Sequence, residues 1–275
     1  MSAPADHRDN ARVRADGAEL EAPLDEAVRA VRDEGERVEA VETDGQWRVA
    51  DYGDPDFTHP DTRPRMRGWL HLFAFFGSIV AAAVLIPLAS VEGLRSGLSV
   101  AVYCVTIWGL FGISALYHRR RWSPRAWKLM KRADHSMIFL FIAGTYTPFC
   151  LLAVPEPLGW WILGIVWAGA LAGVALKMAW PTAPRWVGVP IYLALGWVAV
   201  FVLVDILRLV GVTVIVLMTA GGLLYSAGAI AYALKRPNPV PRVFGYHEVF
   251  HAMTIVAAIC HYIAVYFAIY NSPYV

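Results

Sequence analysis

The stretch GWLHLFAFFGSIVAAAVLIPLAS, residues 68–90, decides the fold class of this 275-residue chain. It contains no Asp, Glu, Lys or Arg. It is also long enough to cross the hydrocarbon core of a bilayer, which takes about 20 apolar residues of helix. A strand with open edges would leave backbone groups without hydrogen bonds in lipid. We therefore predict a membrane-spanning helix here.

The rest of the chain also has the composition of a membrane protein. The composition is 57% hydrophobic and 17% charged, with a mean hydropathy of +0.48, which excludes an ordinary soluble protein. Similar segments follow at short intervals, so neighbouring helices should be antiparallel. We predict seven transmembrane helices, at about 68–90, 97–118, 134–153, 158–178, 188–208, 211–234 and 247–270. The predicted fold class is an all-α integral membrane bundle that occupies residues 63–275.

The distribution of basic residues predicts the orientation of this bundle. Fifteen Lys and Arg residues lie in the segments at one end of the predicted helices, and only Arg95 and Arg208 lie at the other end. Basic loops stay in the cytoplasm. We therefore expect a cytoplasmic N-terminus, an external C-terminus and a location in the cytoplasmic (inner) membrane. The basic stretch HRRRWSPRAWKLMKRAD, residues 118–134, reads as a loop that meets anionic lipid head groups, and we expect no nucleic-acid partner.

Residues 1–62 differ from the rest of the chain. They hold 17 Asp and Glu against 7 Lys and Arg and have few large apolar side chains. Such a segment buries too little apolar surface to offset the entropy of ordering, so we predict a largely disordered cytoplasmic tail. Within it, residues 24–42 have the spacing of a short amphipathic helix. The polar, acidic start does not resemble a signal peptide.

Four ionisable residues fall at one depth in the predicted bundle. His247 and His251 form an H-E-x-x-H pattern at the start of the seventh helix, which puts both imidazoles on one helical face. His118 ends the second helix, and Asp134 begins the third. All four therefore lie at the cytoplasmic end. Ionisable groups are costly inside a membrane and usually mark a functional site.

This set of side chains has the chemistry of a zinc site. His118, His247 and His251 supply three nitrogens, and catalytic zinc typically has three protein ligands and a water. Asp134 is placed to act on that water as a general base. Ser114 lies one turn before His118, where its hydroxyl would donate to a substrate oxygen or hold the water. His71 and His135 lie in the same layer, as outer contacts or interfacial groups, though either could replace a ligand.

A metallopeptidase is the alternative reading of the H-E-x-x-H pattern. Residues 252–275 contain no Asp or Glu, and their one histidine, His261, lies about 15 Å farther along the helix. Glu248 is rotated by about 100° from both histidines of the pattern. At the first turn of the helix it would favour the positive end of the helix dipole. These positions disfavour a peptidase.

The motifs together resemble a known family. Ser114-Ala-Leu-Tyr-His118, Arg132-Ala-Asp134-His135, IFLFIAGTYTP (138–148) and GYHEVFH (245–251) are similar to the hemolysin III proteins. These are the bacterial branch of the progestin and adipoQ receptor family, which is related to the adiponectin receptors. The resemblance covers about residues 65–270. It implies a seven-helix bundle with zinc held by His118, His247 and His251, with Asp134 on the zinc-bound water and Ser114 beside it.

Three classes of function stay open from the sequence. The first is a zinc-dependent hydrolase of a lipid amide or ester, similar to the ceramidases of the wider superfamily. The second is a membrane-active, hemolysin-like protein or a membrane-homeostasis or signalling protein, in which zinc is structural. The third is a transporter or channel. Membrane lipids are the expected partners, and Asp134 and Ser114 favour hydrolysis.

Overall fold

The computed structural model describes residues 38–43, 46–51, 64–120, 122–180 and 183–274. The chain forms two compact units, Met1–Arg63 and Pro64–Val275. In the first, strands β1 (Val38–Thr43) and β2 (Gln46–Asp51) pair in antiparallel register, with Val38 opposite Asp51.

This hairpin was not predicted from the sequence. Residues 38–42 lie in a strand, so the suggested helix over 24–42 is wrong for its last five residues. The overlooked signal is the dipeptide Asp44-Gly45, one of the strongest short-range indicators of a two-residue hairpin connection. Residues 1–37, 44–45 and 52–63 lie outside the described residues, so a largely disordered tail stays a prediction.

The second unit is helical, and seven of its segments are long and apolar enough to cross a membrane. The helices are α1 (Trp69–Glu92), α2 (Leu94–Arg119), α3 (Pro124–Leu152), α4 (Leu158–Ala179), α5 (Arg185–Gly196), α6 (Leu203–Val210), α7 (Val212–Leu234) and α8 (Tyr246–Asn271). The fifth span consists of α5, a 3₁₀ segment (Trp197–Val202) and α6. The prediction of a seven-helix membrane bundle is confirmed. Its orientation in the membrane stays a prediction from the basic residues.

Helix α3 begins ten residues before the predicted start near 134. The Ser123 hydroxyl accepts a hydrogen bond from the backbone N–H of Ala126 at 3.4 Å, and Pro124 occupies the first helical position. Serine followed by proline is a favoured helix start, because proline has no N–H to leave unpaired there. The prediction of a basic loop is therefore wrong for residues 124–133, which extend the helix beyond its apolar part.

The bundle has an enclosed centre and a lipid-compatible surface. Helix α3 is the most buried of the spans, and side chains such as Phe139 and Leu152 are fully buried. Helix α1 turns large apolar side chains outward, with Phe73 63% exposed. Outward apolar side chains suit a hydrocarbon solvent, so this surface agrees with a membrane-embedded protein.

The break in the fifth span is stabilised by a tyrosine. Tyr146 of α3 donates a hydrogen bond to the carbonyl of Gly196 at 2.7 Å and accepts one from the N–H of Ala199 at 2.6 Å. A helix that changes to 3₁₀ geometry frees backbone groups, and these need partners at membrane depth. Tyr146 supplies them. Gly196 and Ala199, which lie at this break, also line a cavity inside the bundle.

Candidate metal centre

Three buried histidines converge at one end of the bundle. His247 and His251 lie one turn apart at the start of α8, and His118 lies in the last turn of α2. Their ligand nitrogens all lie within 4.8 Å of one another. The Nε2 atoms of His118 and His247 are 3.2 Å apart. Two nitrogens at about 2.0–2.1 Å from a tetrahedral ion are about 3.3 Å apart, so this triad could hold a metal ion.

A glycine lets the first helix reach this centre. Gly68 precedes α1 with φ +76°, a left-handed conformation that side chains rarely adopt. A Cβ at this position would lie 2.9 Å from the Cβ of His118. Gly68 therefore allows the start of α1 to pack against the end of α2. This approach brings His71 and Arg67 to the histidine triad.

His71 contacts the triad without joining it. Its ring stacks on that of His251, with centroids 3.7 Å apart and planes 7° from parallel. Both of its nitrogens are buried without a hydrogen-bond partner. The group that could bind a metal among the described residues contains the triad alone. A tetrahedral ion with three histidine ligands would have one position for water, as in catalytic zinc sites, whereas structural sites have four protein ligands.

Glu248 of the H-E-x-x-H pattern pairs with groups outside the histidine triad. It is 1% exposed, and one of its oxygens accepts a hydrogen bond from Arg67 Nε at 2.5 Å. The other accepts from the backbone N–H of Gly245 at 2.8 Å, which caps the start of α8. The sequence suggested only a favourable charge at the helix end, and the partner Arg67 was not foreseen. This pair ties the segment before α1 to α8.

We expect Glu248→Gln to lower the thermal stability of the protein while its metal content is retained. The variant removes the buried carboxylate that pairs with Arg67, which is 7% exposed. Breaking a buried ion pair costs about 3–5 kcal/mol. Thermal unfolding in detergent measures the change. The matched control is Glu156→Gln, because the Glu156 and Arg95 side chains are 51% and 33% exposed, and an ion pair in contact with solvent contributes at most about 1 kcal/mol. Equal shifts for the two variants would contradict this prediction.

A cavity of about 180 Å³ adjoins the triad. His247 and His251 line it, and so do the two residues predicted to be catalytic, Ser114 and Asp134. Ser114 is buried one turn before His118, and Asp134 is half-buried on α3. The structure thus brings the predicted polar residues to one cavity from three helices. Most other lining side chains are apolar.

Two further residues complete the polar end of the cavity. His135 lines it, and its Nδ1 lies 2.9 Å from the carbonyl of Lys131, one turn earlier in α3. Tyr232, in the last turn of α7, also lines it, with its ring centroid 5.5 Å from that of His247. Sequence reasoning missed Tyr232, because a tyrosine at the end of an apolar helix usually reads as an interface anchor.

The chain is similar to proteins of one family. The family model described as "Haemolysin-III related" matches residues 61–262. "Hemolysin-3" of Bacillus cereus is 35% identical over 160 residues, which cover 58% of this chain and 73% of that protein. "Hemolysin-3 homolog" of Bacillus subtilis (strain 168) is 30% identical over 146 residues, covering 53% and 66%.

A human protein is more distantly similar. "Monocyte to macrophage differentiation factor" of Homo sapiens is 23% identical over 209 residues, which cover 74% of this chain and 84% of that protein. The matched region of the family model contains all three histidines of the triad, Ser114 and Asp134. The similarity therefore spans the bundle and the candidate metal centre together.

Proposed function

This chain belongs to the haemolysin-III-related family, and from that premise we propose that it is a zinc-dependent hydrolase of a lipid amide or ester. We place it in the cytoplasmic membrane, with His118, His247 and His251 as the zinc ligands. The observation that carries the proposal is that two histidines of the triad line one cavity together with Asp134 and Ser114.

The ligand set supports zinc over magnesium or calcium. Three imidazole nitrogens with no thiolate and no carboxylate suit zinc, whereas magnesium and calcium prefer oxygen ligands. His71 lies against His251 and supports its ring by stacking. The triad nitrogens are buried at the start of α8 and the end of α2, where packing holds them in place.

The residues around the cavity have separate roles in this proposal. A zinc ion held by His118, His247 and His251 would supply a Lewis acid that lowers the pKa of a bound water. Asp134 accepts the proton of the attacking water and returns it to the leaving amine or alcohol. The Ser114 hydroxyl donates a hydrogen bond to the carbonyl oxygen as negative charge develops there. Glu248 takes no part, because Arg67 and Gly245 occupy its oxygens.

The lining of the cavity supports a lipid substrate. Phe141, Ile142 and Phe149 contribute to its largely apolar wall. Trp197 and Val200 also line it and are 39% and 48% exposed. We infer that the cavity opens toward lipid beside the fifth span. An acyl chain entering from the membrane would find an apolar path to the metal centre.

A second candidate function rests on the relatives. The two bacterial proteins carry the name Hemolysin-3, which describes membrane damage and not hydrolysis. In this alternative the metal stabilises the contact between α2 and α8, and the protein acts on membranes without turnover. The presence of Asp134 and Ser114 in the lining of the same cavity as His247 and His251 favours the hydrolase.

The proposed function is tested by a turnover screen with the purified protein. We expect hydrolysis of at least one long-chain amide or ester, such as a ceramide, an N-acyl ethanolamine or a lysophospholipid. Chelation should abolish this activity, and added Zn²⁺ should restore it. If the metal-loaded protein hydrolyses none of the lipids but makes vesicles leak, the second candidate function is correct.

A further inference from the structure

A second polar site lies in the same cavity, far from the metal centre. His261 of α8 and Tyr225 of α7 both line the cavity, with ring centroids 5.3 Å apart. His261 is ten residues beyond His251 in one helix, which separates the two by about 15 Å along the helix axis. We call His261 and Tyr225 the deep polar pair. His247 and His251 of the triad and the deep polar pair therefore line the same cavity at different positions along it.

Each member of the deep polar pair has a polar atom without a partner. The Nδ1 of His261 and the Oη of Tyr225 are buried and make no hydrogen bond to any described residue. Their surroundings are aromatic, with Phe141 next to Tyr225 and Phe149 next to His261. Buried polar atoms are nearly always hydrogen-bonded in proteins, so two unpaired ones on residues that line a cavity suggest a ligand group beside them.

The hydrogen bond at Nε2 of His261 determines whether Nδ1 donates a hydrogen bond to that ligand group or accepts one from it. The Nε2 atom lies 3.2 Å from the carbonyl of Met218. A carbonyl only accepts, so Nε2 carries the proton and Nδ1 is an acceptor. Tyr225 offers a phenolic O–H. The pair therefore presents one acceptor and one donor, and a hydroxyl group, which both donates and accepts, satisfies both.

The bundle makes room for the His261 ring in this position. A Cβ on Gly221 would lie 2.5 Å from the Cδ2 and Nε2 atoms of His261. Gly221 lies one turn before Tyr225 on the same face of α7. The absence of a side chain there allows the imidazole to reach both Met218 and the cavity.

We propose that the cavity binds a long acyl chain that carries a hydroxyl group near its middle, with that hydroxyl on the deep polar pair. The inference rests on the proposed function, because it places the acyl carbonyl at the metal centre. The separation of about 15 Å matches the reach from a carbonyl carbon to the middle of a long acyl chain. The deep polar pair then selects among lipids that the metal centre alone would treat alike.

The test measures binding of three amides to the full-length, metal-loaded protein in lipid nanodiscs. The probes are the N-methyl amides of oleic acid, of ricinoleic acid, which has a mid-chain hydroxyl, and of the oxo analogue of ricinoleic acid. We expect the ricinoleoyl amide to bind about tenfold more tightly than the oleoyl amide, which corresponds to about 1.4 kcal/mol. The oxo analogue should be intermediate, because a carbonyl satisfies Tyr225 and not Nδ1.

Variants show which residues cause the preference for the amide that carries a hydroxyl. Tyr225→Phe removes one oxygen and should abolish the preference for the hydroxyl. Gly221→Ala should have the same effect by displacing the His261 ring. Tyr262→Phe is the matched control, because the Tyr262 hydroxyl donates to the carbonyl of Ala81 at 3.0 Å and lies outside the cavity lining. It should keep the preference.

Two results would overturn the inference. One is equal binding of the oleoyl and ricinoleoyl amides to the wild-type protein. The other is a preference that survives in both Tyr225→Phe and Gly221→Ala. Neither result bears on hydrolysis at the metal centre, which the turnover screen measures with unsubstituted chains. A failed screen, in turn, leaves the binding comparison interpretable.

Discussion

The double variant His247→Ala/His251→Ala is expected to contain almost no metal, whereas the wild-type protein purified without chelators contains about one zinc per chain. Two of the three nitrogens that converge within 4.8 Å are removed at once. A single remaining imidazole on His118 cannot hold zinc against buffer. Elemental analysis of the purified proteins measures this difference.

The fold is expected to persist in this variant, because the two histidines are a small part of the α8 surface. Circular dichroism and elution volume in detergent report on it. His135→Ala is the matched control: His135 lines the same cavity but lies outside the triad, so its loss should leave the zinc in place. Zinc-free wild-type protein would contradict the metal centre.

The variant His71→Ala tests whether the metal has three or four histidine ligands. His71 stacks on His251 and lies outside the group of converging nitrogens. We therefore expect this variant to retain its zinc. Complete loss of zinc would show a four-histidine site, which has no position for water and would favour a structural metal.

The features of this structure that could be predicted are those that depend on the local sequence. Long apolar runs such as 68–90 predicted all seven spans, because lipid leaves a helix as the simplest way to satisfy the backbone. The positions of His118 and of the H-E-x-x-H pattern at matching span ends predicted the triad. Successive spans run in opposite directions, so the end of α2 and the start of α8 lie at the same end of the bundle.

The unpredicted parts depend on contacts between distant segments. The pairing of Glu248 with Arg67 and the stacking of His71 on His251 both require the close approach of α1 to α2 at Gly68. Nothing in the local pattern around residue 68 indicates that approach. The break of the fifth span was missed for the same reason, because the hydroxyl that supports it belongs to Tyr146 in another helix.

Asp134→Asn is expected to keep the zinc and to lose most of the turnover of whichever lipid the screen identifies. The change preserves the shape of the side chain and removes its ability to take a proton. Loss of a general base typically lowers the rate by about 10²–10⁴-fold. The triad is untouched, so metal content should equal that of the wild type. Rates and zinc content measured on the same samples test both statements.

The comparison with Glu248→Gln decides which carboxylate works as the base. Glu248 is held by Arg67 and Gly245, whereas Asp134 lines the cavity next to the triad. Glu248→Gln should therefore lose stability and keep its turnover when assayed well below its unfolding temperature. Asp205→Asn is the control for the Asp134 substitution, since Asp205 lies in α6 outside the cavity lining. If Glu248→Gln abolishes turnover and Asp134→Asn does not, the peptidase-like reading of H-E-x-x-H becomes the better one.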